Sequence, residues 1–153
     1  MNEPGAMAVS TRMPGHLIRR LHQVSTQVFL QRVRDSGFDL TPVQFAALDA
    51  LRHKPGIDQA SLAEVIAKDR ATIGAVVSRL EQKGLVKRVV SARDKRARVL
   101  TLTDEGEATI TALMPIVERL QKEILPGLSE AEYRQFIALA AKAAQAADRI
   151  GED

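Results

Sequence analysis

Residues 69–84 read "DRATIGAVVSRLEQKG", a stretch in which side chains that can form hydrogen bonds are interspersed with unusually small residues. Apolar residues recur in this stretch at the i, i+3, i+4, i+7 spacing of a buried helical stripe. The opposite face carries mainly Ala, Gly, Ser and Thr, with Arg at its margins. Arg and Ser side chains can bond base edges and phosphates, and small neighbours let a backbone approach them closely. That role would explain a glycine inside a helix, which costs about 1 kcal/mol relative to alanine. The alternative is an ordinary solvated face. The candidate contact residues are Arg70, Thr72, Gly74, Ser78 and Arg79.

The basic residues are concentrated in one segment of the chain. Residues 79–98 hold eight Lys or Arg and two acidic residues, a local charge of +6, against +2 for residues 1–78 and −5 for residues 99–153. This asymmetry indicates a surface that binds a polyanion, although a charge run can also be a solvated face. Asp94, in "SARDKR", is expected to orient a neighbouring arginine side chain. The candidates for contact with the minor groove or its phosphates are Arg93, Lys95 and Arg96.

A second group of basic side chains lies near the start of the first predicted helix, where the helix dipole disfavours cations. Arg19 and Arg20 follow His16 by three and four residues, so His16 can share a helix face with both. A bound carboxylate would relieve the mismatch, and arginine suits planar carboxylates. The alternative is a solvated or dimer-bridging basic end. The candidate ligand-binding residues are His16, Arg19, Arg20 and His22.

Local signals predict the elements that position these groups. A first helix covers 15–35 and carries Leu17, Leu21, Val24 and Val28 at the spacing of a coiled-coil seam. "TPVQ" at 41–44 is a capping box that starts a second helix, which ends near "HKPG". Asp58 caps a short third helix, and Asp69 caps a fourth that ends at "KG". The side chains expected to be buried in the second and third helices are Val43, Leu48, Leu51, Leu62, Val65 and Ile66.

The rest of the chain predicts a hairpin and two long helices. "LVKRVV" and "ARVLTLT" are β-rich runs on either side of the basic tip. Thr103 begins a helix with acidic residues in its first turn, and Ser129 with Glu132 forms a capping box for an Ala-rich helix that reaches about Ile150. Short helices joined by a tight turn and followed by a hairpin predict a winged helix-turn-helix, in which the small-residue helix enters the major groove.

Composition excludes several other classes of protein. The 153 residues include three His and no Cys, which leaves no recognisable metal cluster, and we expect neither a cofactor nor an enzyme. Tyr and Phe number one and four and Trp is missing, so stacking platforms for single strands or RNA are few. The sequence shows neither a secretory signal nor a membrane-spanning run, and we expect a cytoplasmic protein.

Taken together, "DRATIGAVVSRLEQKGLVKR", the wing "SARDKRARVLTLTDEG" and the flanking long helices resemble the MarR family of bacterial transcription regulators. The resemblance covers residues 15–150. It implies an obligate dimer that binds pseudo-palindromic operators and is released from them by a small, often phenolic or aromatic, acid. "PGHLIRRLHQ" resembles members that control catabolism of aromatic or N-heteroaromatic acids, nicotinate among them. The alternative function is an architectural DNA binder or a winged-helix protein-interaction module without a ligand response.

The expected fold class is therefore mainly α with a small β-hairpin wing, built as a winged helix-turn-helix lobe plus a helical dimerisation region. We expect residues 1–14 to form a flexible tail and 15–150 a single domain. Within that domain, 37–103 would be the DNA-binding lobe, and 15–36 and 104–150 the dimerisation helices.

Overall fold

The computed structural model of the chain describes residues 8–66 and 70–150, with only the backbone at Arg70. In these two ranges the chain forms six α-helices, three β-strands and a 3-10 turn at Val9–Arg12, so the predicted class, mainly α with a β-hairpin wing, is confirmed. The helices are α1 (Pro14–Asp35), α2 (Pro42–His53), α3 (Gln59–Ile66), α4 (Arg70–Gln82), α5 (Asp104–Ile124) and α6 (Glu130–Ile150), and the strands are β1 (Ile57–Asp58), β2 (Val86–Val90) and β3 (Arg98–Leu102).

Several predicted helix starts are confirmed at atomic detail. The Thr41 hydroxyl accepts from the Gln44 amide and the Gln44 side chain accepts from the Thr41 amide, both at 3.2 Å. Asp58 accepts from the Ser61 amide at 2.7 Å, which caps α3. The predicted cap Asp69 lies outside the described residues.

The core of the lobe is formed where α2, α3 and α4 pack against one another and against the sheet, α2 and α3 on β3 and α4 on β2. The α4 stripe is buried as predicted, with Ile73, Val77 and Leu80 fully covered and Val76 partly covered. The prediction of a core position is wrong for two residues: Val43 is 37% exposed and Val65 is 54% exposed. Val43 is the second residue of α2, and Val65 is near the end of an eight-residue helix. Helical spacing alone does not distinguish such edge positions from the core.

The sheet holds one strand that the sequence pattern does not predict. β2 and β3 form the expected antiparallel hairpin, from the Val86–Leu102 pair to the Val90–Arg98 pair. β1 adds antiparallel to the other edge of β3, which gives the order β1-β3-β2. A strand of two residues is too short to produce a visible alternation.

Thr103 links the end of the hairpin to α5 and to the turn after α4. Its hydroxyl accepts from the Gly106 amide at 3.0 Å and donates to the Gly84 carbonyl at 2.6 Å. A Cβ added at Gly106 would lie 2.1 Å from the Leu85 carbonyl oxygen. The first turn of α5 therefore requires glycine, because the backbone that leaves α4 crosses directly over it.

Outside the lobe, α1 packs along α5, and α6 lies largely uncovered. Phe29 and Val33 join the core formed by the α5 stripe, whereas Leu17 of the predicted seam is 47% exposed. The predicted capping box of α6 is present, and its hydrogen bond from the Ser129 amide lowers the pKa of Glu132. None of the described residues of α6 is buried.

The predicted domain division stays a prediction. Residues 1–7 of the expected tail lie outside the described range, and the rest of that tail contains the 3-10 turn at Val9–Arg12 and the start of α1 at Pro14.

Candidate nucleic-acid interface

The small-residue face of α4 points away from the lobe core. Thr72, Ser78 and Arg79 are exposed, as are Ala71 and Ala75. This face therefore presents a hydroxyl pair and a guanidinium among small residues, which suits close approach to base edges. Arg70, the remaining cationic candidate of this helix, begins α4, and its side chain lies outside the described part of the chain.

Gly74 occupies a different position from the rest of that face. It is partly buried, and a Cβ built there would lie 3.5 Å from the side-chain nitrogen of Gln59 in α3. That separation is ordinary van der Waals contact, so the structure gives Gly74 a neighbour within the lobe. Its predicted close approach to DNA stays a prediction.

Arg88 of β2, one of the eight basic residues in 79–98, contacts the exposed side of α4. Its Nε donates to Glu81 Oε1 at 2.6 Å, and its Nη2 donates to Ser78 Oγ at 3.2 Å. The contact holds the hairpin against the exposed side of α4. Helix spacing gives no signal for it, because Arg88 lies on a strand and its partners lie on a helix.

Lys83, another member of the basic segment, turns towards α2. Its ammonium group donates to Gln44 Oε1 at 3.1 Å and to the Asp39 carbonyl. Because Gln44 also closes the capping box of α2, Lys83 ties the end of α4 to the start of α2. Of the eight basic residues in 79–98, Lys83 and Arg88 are therefore engaged within the lobe.

The tip of the wing is shaped by two short side chains. Ser91 Oγ accepts from the amides of Arg93 and Asp94 at 3.2 and 3.4 Å, and Asp94 Oδ1 accepts from the Arg96 amide at 3.0 Å. The prediction that Asp94 orients an arginine side chain is wrong, because its carboxylate fixes the backbone of the tip. Within this fixed turn, the side chains of Arg93, Lys95 and Arg96 are exposed.

The four candidate ligand residues of α1 do not form one cluster. Arg19 Nη2 lies 3.3 Å from His16 Nδ1, and Arg20 donates to Gln23 at 3.3 Å. His22 instead borders a cleft of about 260 Å³ between α1, α5 and α6. The other residues around this cleft are mainly apolar: Leu21, Ser25, Gln121, Ile124, Leu125, Tyr133, Phe136 and Ile137.

Two further features bear on other functions. Across residues 8–66 and 70–150, no three His, Asp or Glu side chains lie close enough together to share a metal ion. Over the same residues, none of the helices combines the length and the apolar character that crossing a bilayer requires.

Comparison with known proteins gives concordant results. A model of the MarR family matches residues 38–97. The chain is 37% identical over 127 residues to the transcriptional regulator HosA of Escherichia coli O157:H7, covering 83% of this chain and 91% of HosA. BpsR of Bordetella bronchiseptica, whose DNA binding is regulated by 6-hydroxynicotinic acid, superposes with a TM-score of 0.82 at 29% identity, covering 91% of this chain and 98% of BpsR.

A second solved structure shows a similar protein on DNA. The transcriptional repressor CouR, bound to a 23-mer DNA duplex, superposes with a TM-score of 0.79 at 30% identity, covering 93% of this chain and 97% of that one. The match to the family model, the identity to HosA over most of both chains and the shared winged-helix architecture agree with one another. The chain belongs to the MarR family of transcriptional regulators.

Proposed function

We propose that the chain is a homodimeric regulator of transcription that binds double-stranded DNA at a pseudo-palindromic operator and is released from it by a small aromatic acid. The observation that carries this proposal is the exposed small-residue face of α4, with the basic wing held against that helix through Arg88. In this geometry α4 enters the major groove and the wing tip reaches the neighbouring backbone or minor groove.

The distribution of charge supports this docking. Six of the eight basic residues in 79–98 remain after Lys83 and Arg88 are assigned to contacts within the lobe, and the side chains of the wing tip are exposed. Cations on such a surface displace counterions from phosphates, which gives affinity for any duplex. Sequence preference then depends on α4, with Thr72, Ser78 and Arg79 as the candidate readers.

The effector part of the proposal depends on α1 and on the cleft beside it. An aromatic acid needs an apolar slot for its ring and a fixed cation for its carboxylate. The cleft between α1, α5 and α6 offers Tyr133, Phe136 and neighbouring aliphatic side chains, with His22 at its border. Arg19 or Arg20, which lie nearer the start of α1 and outside the lining of this cleft, would hold the carboxylate and His16 would assist. That BpsR responds to 6-hydroxynicotinic acid supports a ligand of this class.

As part of the same proposal, the chain acts in the cytoplasm, where its DNA lies, without a cofactor and without catalytic activity. Membership in a family of transcriptional regulators supports this statement.

The test is a gel shift with the full chain on the DNA upstream of its own gene, set against a scrambled duplex of equal length. We expect tight binding to one site and weak, salt-sensitive binding to the scrambled duplex. The measurement is repeated with benzoate, salicylate and 6-hydroxynicotinate, and release by at least one acid is expected. Equal affinity for both duplexes would instead support an architectural DNA binder.

A further inference from the structure

Arg88 makes two different hydrogen bonds to two exposed residues of α4. Its side chain is 29% exposed, its Nε lies 2.6 Å from Glu81 Oε1, and its Nη2 lies 3.2 Å from Ser78 Oγ. Glu81 and Ser78 are one helical turn apart, so the guanidinium spans two successive turns of the helix. The planar fork of arginine can make both contacts at once, whereas the ammonium of lysine is a single point charge.

This contact fixes the hydrogen-bonding role of the Ser78 hydroxyl. A serine hydroxyl has one proton to donate and two lone pairs that accept. Arg88 occupies one lone pair, and its positive charge repels the hydroxyl proton. The O–H bond of Ser78 is therefore directed away from Arg88. Serine hydroxyls in helices often donate to the carbonyl four residues earlier. In the described part of the chain the Ser78 hydroxyl makes no such bond, so its proton is available to an acceptor outside the lobe.

Glu81 has a separate part in the same arrangement. It is the acidic residue nearest to Ser78 along the exposed side of α4, and a free carboxylate there would repel DNA phosphates. Its hydrogen bond to Arg88 offsets this charge and anchors the guanidinium. The anchored guanidinium keeps one lone pair of Ser78 Oγ occupied, which leaves the hydroxyl proton to be donated elsewhere.

We propose that Arg88 is a positioning residue that turns Ser78 into a hydrogen-bond donor towards bound DNA. The inference rests on the proposed function, since it requires α4 to lie in the major groove. A donor at this position selects base pairs that present an acceptor there: N7 of either purine, O6 of guanine or O4 of thymine. Arg88 thereby contributes to sequence preference without touching a base.

The experiment begins with the duplex that the wild-type chain enriches from a random-sequence library. Each base pair of that duplex is then substituted in turn, and binding of wild type, Ser78→Ala and Arg88→Lys is measured by competition. We expect both variants to lose discrimination at the same base pair of each half-site, by about threefold to tenfold. The double variant is expected to lose no more than Ser78→Ala alone, because Arg88 acts through Ser78.

Lys87→Met is the matched control, because Lys87 is the exposed neighbour of Arg88 in β2. It removes one cation and is expected to leave the pattern of base preferences unchanged. Thermal unfolding checks that each variant is folded. Glu81→Gln is a second variant, which leaves Arg88 in place but weakens its hydrogen bond to residue 81. We expect this variant to lose part of its discrimination at the base pair that Ser78 reads.

Two results would overturn the inference. One is that Arg88→Lys weakens binding to all duplexes alike, and the other is that it alters base pairs different from those altered by Ser78→Ala. In both cases the wild type still enriches a specific duplex, so the proposed function stands. If the wild type enriches no sequence at all, the proposed function fails together with the inference.

Discussion

At Gly106 a single hydrogen atom in place of a side chain lets two segments of backbone cross. The added Cβ would lie 2.1 Å from the Leu85 carbonyl oxygen, and that carbonyl already accepts from the Thr103 amide at 3.0 Å. That hydrogen bond holds the two segments together at the junction between α4, the hairpin and α5. The position is therefore constrained by packing and needs no unusual backbone angle.

We predict that Gly106→Ala destabilises the protein by about 1–3 kcal/mol, the usual cost of overpacking a tight contact. Urea unfolding followed by circular dichroism measures the change. Gly127→Ala is the matched control, because a Cβ there meets nothing within 4 Å, and its effect should stay within about 0.5 kcal/mol. Equal effects of the two variants would show that the junction tolerates a methyl group.

We predict that Arg79→Ala and Arg96→Ala both weaken DNA binding, in different ways. Arg79 lies on the exposed side of α4, so its loss should cost about 1–3 kcal/mol and relax sequence preference. Arg96 lies at the wing tip, so its loss should weaken binding to all duplexes more evenly and flatten the salt dependence. Titrations of operator and scrambled duplex at several salt concentrations measure both effects. Unchanged discrimination by Arg79→Ala would remove Arg79 from the base-reading residues.

At the scale of elements, the orientation of α4 depends on side chains that reach it from other elements. Lys83 connects the end of α4 to the start of α2, and Arg88 connects β2 to the exposed side of α4. Thr103 then links the turn after α4 to the start of α5. These contacts give a continuous connection from α5 to the helix that is proposed to read DNA.

The inward position of Lys83 leads to a prediction that separates structural from DNA-binding cations. Lys83→Met should lower the free energy of unfolding by about 1 kcal/mol, since it removes hydrogen bonds from a charged donor, and should leave the salt slope of DNA binding unchanged. Lys95→Met at the exposed wing tip should do the reverse, reducing the slope by about 1 per protomer. A reduced slope for Lys83→Met would place that residue on the phosphates instead.

The sequence predicts those features of the elements that depend on neighbouring residues. The caps at Thr41, Thr103 and Ser129 are present, and they could be predicted because a cap and its partner lie only three residues apart. The Lys83 contact was not predictable, since its partner Gln44 lies 39 residues away. The contacts of Arg88 were not predictable either, since they join a strand to a helix. β1 has only two residues, which is too short for an alternation of apolar and polar residues to be visible. The candidate base readers were predictable as a face of α4, but not the contacts that orient them.

At the scale of the whole molecule, α6 is a long helix with an apolar face, and none of its described residues is buried. Leu139 is 59% exposed and Ile137 47% exposed, and Leu17 and Ile18 of α1 are also exposed. Exposed apolar side chains on two neighbouring helices indicate a surface that a second copy covers.

We predict that the wild-type chain sediments as a dimer at micromolar concentration and that Leu139→Glu shifts it towards monomer, because a charge would then be buried in the interface. The two α4 helices of the dimer should lie about 34 Å apart, one turn of DNA. Val65→Glu is the control, since Val65 is 54% exposed on α3 of the lobe. A stable wild-type monomer would contradict the proposed dimer.

The last prediction concerns how a ligand bound at the dimer helices changes DNA binding. An aromatic acid whose ring lies in the cleft beside His22 would contact α1, α5 and α6, and α5 is joined to the turn after α4 through Thr103. Suppose that the ligand binds more tightly to a state in which the separation of the two α4 helices does not fit DNA. DNA affinity then falls by the ratio of the ligand's affinities for the two states, typically 1–3 kcal/mol, or about 5- to 150-fold.

Calorimetry with benzoate, salicylate and 6-hydroxynicotinate on the full chain tests this prediction. Arg19→Ala or Arg20→Ala should weaken binding of the acid that releases DNA, since either side chain would hold its carboxylate. Arg34→Ala is the control, because Arg34 is exposed near the far end of the same helix. If that acid binds both variants as tightly as it binds wild type, the pocket lies elsewhere. The basic start of α1 would then be a solvated end or a bridge within the dimer, and the route from ligand to α4 would have to begin at another surface of α5.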